Sequence, residues 1–109
     1  MESFVIADSR LREIVRRLVE AYQPQKLYLF GSHARGSAGP DSDYDLMLVM
    51  PDDAPPEQRG SRLAYQALRG TGIAADVVVF TQAGFESRLH IPASLPATVE
   101  REGRILYAV

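Results

Sequence analysis

Residues Gly31 to Leu46 read Gly-Ser-His-Ala-Arg-Gly-Ser-Ala-Gly-Pro-Asp-Ser-Asp-Tyr-Asp-Leu, and the apolar runs on either side of this stretch decide the fold. Before it, Lys26 to Phe30 reads as a short strand, apolar on both faces and so expected in the middle of a sheet. After it, Tyr44 to Met50 reads as a second strand, again apolar on both faces once past its acidic start. Strand side chains alternate, so residues two apart point the same way. Asp43 and Asp45 are therefore expected to project together at the end of a strand, beside a Gly-Ser turn rich in free backbone N–H groups.

Working outward, Leu11, Ile14, Val15, Leu18, Val19 and Tyr22 recur at three- and four-residue spacing, which predicts a helix capped by Asp8 or Ser9 and stopped by Pro24. A short helix can begin at Ser32 and run to Ser37, broken by Gly39-Pro40. Pro51 to Pro56 is a loop, and Glu57 to Arg69 reads as one amphipathic helix with Leu63, Ala64, Ala67 and Leu68 inward, ended by Gly70 and Gly72. Ala74 to Phe80 is the most β-prone run. Thr81 caps a short helix carrying Phe85 and Leu89, a last helix spans Leu95 to Glu102 and ends at Gly103, and Arg104 to Tyr107 is expected as an edge strand. This order gives an α/β (α+β) layer fold with a sheet of three to four strands, and residues 1–109 are expected to form a single domain.

Composition narrows the function classes. The apolar fraction of 46% fills a core, and the net charge of −2 gives no basic footprint for broad nucleic-acid binding. The absence of cysteine excludes disulfides, thiolate metal sites and a cysteine nucleophile. The N-terminus carries no basic region followed by an apolar run, and no stretch approaches the roughly 20 apolar residues of a membrane span, so a soluble, cytoplasmic protein is expected.

The acids point to metal chemistry. If the strand of Asp76 lies beside that of Asp43 and Asp45, three carboxylates converge. Two such charges about 4 Å apart repel by roughly 4 kcal/mol at an effective dielectric of about 20, so the cluster would protonate or bind a cation. All-oxygen ligands favour Mg²⁺ or Mn²⁺, and Mg²⁺ leaves room for substrate phosphates. At the turn, Gly31 permits close backbone approach, and Ser32 offers an N–H and a hydroxyl to a phosphate. Arg35 either clamps a phosphate or pairs with a loop acid such as Asp41. His33 reads as a spectator, and Tyr28 and Tyr44 as core.

Gly31-Ser32, ten intervening residues, then Asp43-Tyr44-Asp45-Leu46 resembles the signature of the nucleotidyltransferase superfamily that includes DNA polymerase β. The fuller runs Gly-Ser-His-Ala-Arg-Gly and Ser-Asp-Tyr-Asp-Leu, with Ala75-Asp76-Val77-Val78-Val79 and the close Glu102-Gly103-Arg104-Ile105-Leu106-Tyr107, are similar to its minimal branch, the MNT proteins. The resemblance implies a palm-like mixed sheet with helices mainly on one face. It implies that Asp43, Asp45 and Asp76 are catalytic and hold two Mg²⁺ ions (Mn²⁺ as a substitute), with Asp76 also able to take the acceptor's proton. Gly31 and Ser32 would bind the phosphates of an ATP donor, with Arg35, from the reading of the turn above, as the further phosphate-binding candidate.

MNT proteins typically pair with a small helical HEPN protein, often as antitoxin and toxin, and can transfer AMP from ATP to a tyrosine of that partner. The expectation is a type VII antitoxin of this kind, with AMPylation as its activity, since the chain spends its length on the catalytic palm and leaves the acceptor to another molecule. Two alternatives stay open: a binding module that neutralises its partner by occlusion, or a nucleotidyltransferase for a small molecule or RNA end with a partner-supplied pocket. Direct nucleic-acid binding is disfavoured by the acidic balance. A sheet with one helical layer leaves apolar surface uncovered, so a hetero- or homo-oligomer is expected, and Tyr107-Ala108-Val109 either docks on a neighbour or packs home.

Overall fold

The computed structural model describes residues 2, 3 and 6–109. Among these, five strands form one mixed sheet in the order β1-β5-β2-β3-β4. Four are substantial: β2 (Lys26–Phe30), β3 (Tyr44–Met50), β4 (Ala75–Thr81) and β5 (Arg104–Ala108). The fifth, β1 (Glu2–Ser3), is a two-residue strip against β5, too short to show in any periodicity. It makes β5 an inner strand rather than the expected edge. β5 runs antiparallel to both neighbours, with Leu106 and Tyr107 buried. At the C-terminus Tyr107 is buried and pairs with Leu27, and the Val109 N–H donates to the Gln25 carbonyl at 3.0 Å while the Val109 side chain stays exposed.

Helices cover both faces. α1 (Ser9–Tyr22) lays the expected stripe of Leu11, Ile14, Val15, Leu18 and Tyr22 into the larger core, with α3 (Arg62–Ala67) beside it. On the opposite face α4 (Gln82–Glu86) and α5 (Leu95–Glu102) supply Phe85 and Val99 to a smaller cluster with Tyr28, Met47 and Val49. The one-sided layer implied by the resemblance thus describes the larger core, and the uncovered face used to argue for association is in part covered. Asp8 caps α1, its Oδ1 accepting from the Arg10 and Leu11 N–H groups at 2.9 and 3.3 Å.

The helix expected over Glu57 to Arg69 is divided. A 3-10 turn spans Pro56–Gln58, and α3 starts only at Arg62. The break falls at Gly60-Ser61, where the Gly60 carbonyl leaves the chain to accept from the buried Tyr22 hydroxyl at 2.7 Å. α2 is likewise one turn, Ser32–Arg35, closed by Gly36 at φ 76°. Leu89 lies beyond the end of α4 and is exposed, while Phe85 is buried as expected. Gly103 allows α5 to end against β2: a Cβ there would sit 2.6 Å from the Val99 carbonyl oxygen and 2.9 Å from that of Leu29. No helix among the described residues is long and apolar enough to cross a membrane.

Candidate nucleotide and metal site

The first two strands of the acid site are joined by the Gly31 turn and α2, and run antiparallel, with Phe30 opposite Asp45. The third reaches the site by a crossover, Pro51 to Ala74, which returns the chain parallel to β3. In that parallel ladder Asp45 is the direct partner of Asp76. Period-two alternation places both acids on the face of Met47, Val49, Val78 and Phe80, above the smaller core. Asp43 lies just before β3 and is exposed, as is Asp76, while Asp45 is half-buried. Asp45 and Asp76 are thus direct ladder partners at one end of the sheet, and Asp43 lies near enough for its charge to act on Asp45.

The electrostatics of the site show at Asp45. Burial pushes the Asp45 carboxyl above the usual range, and the charges of Asp76 and Asp43 push it further, against weaker opposing effects of His33 and Arg35. Among the described residues, no three His, Cys, Asp or Glu side chains stand close enough together to encircle an ion as they are. The donors nonetheless suit a hard divalent cation: they are all carboxylate oxygens, they repel one another, and the half-buried one gains most from a positive charge.

Gly31 is fixed by Asp45. Its backbone sits at φ 75°, ψ −154°, a region that side chains essentially never occupy. A Cβ there would overlap Asp45 Oδ2 and lie 3.0 Å from its Cγ. The missing side chain is thus the space the carboxylate fills, which brings the turn's backbone against the acid. No side chain caps the start of α2, leaving the first-turn N–H groups after Gly31 for a ligand or water. Ser32 is half-buried and Arg35 is exposed. Among the described residues Arg35 makes no ion pair with Asp41, and its charge is instead felt at Asp45.

Tyr44, expected as core, and His33, expected as a spectator, stand beside the site. The buried Tyr44, between the two acids, turns to the opposite face, and its hydroxyl donates to Asp8 Oδ2 at 2.6 Å. The His33 ring stacks on that of Tyr44, with centroids 4.1 Å apart. The signal for Tyr44 was in the strand parity, since a buried tyrosine hydroxyl needs a partner; His33 carried none.

Residues 9–106 match the nucleotidyltransferase domain, and the chain belongs to that family. Among solved structures, a toxin-antitoxin crystallised with AMP-PNP shares 23% identity over 94% of this chain and 75% of that one, at a TM-score of 0.61. A mutant of the toxin-antitoxin MntA-HpeT shares 17% over the same proportions, at a TM-score of 0.57. A candidate nucleotidyltransferase from Sulfolobus solfataricus shares 18% over 97% of this chain and 93% of that one, at a TM-score of 0.50. At these identities the likeness is one of fold. No curated protein matches.

Proposed function

We propose that this nucleotidyltransferase domain transfers AMP from ATP to a tyrosine hydroxyl of a HEPN-type helical partner, as an antitoxin. The observation that carries the transferase chemistry is the in-register pair Asp45 and Asp76, with Asp45 packed against the Gly31 turn and the charge of Asp43 acting on it. The protein partner is supported by the shared fold of the two toxin-antitoxin structures and by the resemblance to MNT sequences.

Asp43, Asp45 and Asp76 would hold Mg²⁺, and Gly31, Ser32 and Arg35 the triphosphate. When bound, the metal would polarise the α-phosphate and offset the charge of the departing pyrophosphate. Asp76, exposed on β4, takes the acceptor's proton as its oxygen bonds to the α-phosphorus and the bond to the pyrophosphate oxygen breaks. The half-buried Asp45 keeps its position through Gly31 and the ladder on both sides.

The test combines the purified protein, ATP labelled at the α-phosphate, Mg²⁺ and the product of the adjacent gene. Label should move to the partner and disappear with Asp43→Asn plus Asp45→Asn. No transfer, or transfer that survives the double substitution, refutes the reading. Growth rescued by the double variant at equal expression would replace it with neutralisation by occlusion.

A further inference from the structure

Tyr44 cannot join the acids that flank it. Asp45 lies on the face of the smaller core, so Tyr44, its neighbour in β3, points the other way, into the larger core beneath α1, where it is 4% exposed. There it meets two segments from elsewhere in the chain. Its hydroxyl donates to Asp8 Oδ2 at 2.6 Å, while Oδ1 of the same carboxylate caps α1. One face of its ring carries the His33 imidazole, nearly parallel at 16°. His33 is one residue past the Gly31-Ser32 turn, and its Nε2 bonds the Ser42 carbonyl at 3.0 Å. A carbonyl only accepts, so Nε2 carries the hydrogen.

The loop this unit closes is held by few side chains. Gly36 to Asp43 contains two glycines, a proline and mostly exposed residues, and leads directly into the first acid. Two of its hydrogen bonds, from the Ser42 N–H to the Gly39 carbonyl and from the Gly39 N–H to Ser42 Oγ, are internal to it. At its start the Gly36 and Ser37 N–H groups donate to the Ser32 carbonyl, and at its end the side-chain fastening runs through His33 at Ser42 and through Tyr44, whose N–H donates to the Ala74 carbonyl at 3.2 Å.

We infer that Tyr44, held by Asp8 and His33, is a positioning residue: it locks the acid segment Asp43–Asp45 to the Gly31-Ser32 turn and so sets the affinity for the divalent ion. This rests on the reading of the acids as metal ligands. Residues that orient ligands without touching the metal are commonly worth 10- to 100-fold in affinity.

The experiment is a titration with Mn²⁺ alone, followed by electron paramagnetic resonance, alongside thermal melting. Tyr44→Phe keeps the ring stack and loses the hydroxyl bond, and should weaken Mn²⁺ binding about tenfold. His33→Ala, at a half-buried position, should do the same and serves if Tyr44→Phe does not fold. Asp8→Asn, which retains an acceptor, should bind nearly as the parent, whereas Asp8→Ala should not. The control is Tyr28→Phe, which removes a comparable buried hydroxyl bond, to Glu100 of α5 at 3.0 Å, on the opposite face of the sheet from Tyr44. It should lower the melting temperature and leave Mn²⁺ affinity unchanged. If the parent binds Mn²⁺ and the Tyr44 and His33 variants bind it as tightly as Tyr28→Phe does, the inference is overturned alone. If the parent binds no Mn²⁺, the metal reading falls and takes the inference with it.

Discussion

Gly31→Ala separates backbone strain from displacement of a carboxylate. The first contribution is conformational: at φ 75°, ψ −154° a side chain costs about 1–3 kcal/mol. The second is the overlap with Asp45, whose Oδ2 occupies the place of the new Cβ. Gly36→Ala isolates a positive-φ cost without the second effect, because Gly36 sits at φ 76°, ψ 15° with nothing within 4 Å of its Cβ position. A left-handed alanine there costs roughly 1–2 kcal/mol. Each kcal/mol lowers the melting temperature of a domain near this size by roughly 4–8 °C. Gly31→Ala should therefore melt well below Gly36→Ala in metal-free buffer and lose Mn²⁺ binding that Gly36→Ala retains. Introduced into an Asp45→Ala background, Gly31→Ala should cost less, with a coupling on the order of 1 kcal/mol in the double-mutant cycle. Melting followed by circular dichroism measures all four corners. A penalty for Gly31→Ala that is the same with and without the Asp45 side chain would refute the argument.

Asp45→Asn should raise the melting temperature of the metal-free protein at pH 7, since the folded state disfavours the ionised carboxyl through burial and the charges of Asp76 and Asp43. A carboxyl whose pKa is raised on folding favours the fold below its unfolded pKa and loses that contribution as pH rises through the folded value, so the advantage of the Asn variant should shrink on acidification. A flat difference between the two melting curves from pH 4 to 7 would contradict this. Tyr22→Phe should cost about 1 kcal/mol in urea denaturation by removing the bond to the Gly60 carbonyl. Leu18→Ala, a fully buried position under α1, should cost about 2–5 kcal/mol with the Mn²⁺ affinity of the folded fraction unchanged.

Local pattern carried much of this structure. The bounds of β2, β3 and α1 follow from runs of apolar residues and from an Asp cap, all contained within a few neighbours in sequence. The adjacency of Asp45 and Asp76 is different in kind. It depends on a crossover of more than twenty residues bringing β4 parallel to β3, and no local spacing encodes that register. β5 was misplaced at an edge because its second neighbour is only two residues long. The helix over Glu57 to Arg69 was read as continuous because its apolar spacing persists across Gly60, whereas the break depends on a tyrosine 38 residues away. The role of Tyr44 was hidden for the same reason: its partners, Asp8 and His33, come from other elements.

β4 also raises the question of how a strand knows where to stop sliding. Val77 to Phe80 is apolar throughout, with Val77 and Val79 facing one core and Val78 and Phe80 the other. Such a strand has no alternation of polarity to set its phase, and a shift by one residue would still bury four apolar side chains. What would change is Asp76, which a one-step slip turns from the open end of the sheet toward the larger core, where a carboxylate has no partner and its burial is costly. The acid that completes the site thus also marks the phase of its strand. Substituting it with an apolar residue removes more than a charge: it removes a polar mark that penalises the shifted alignment of the ladder.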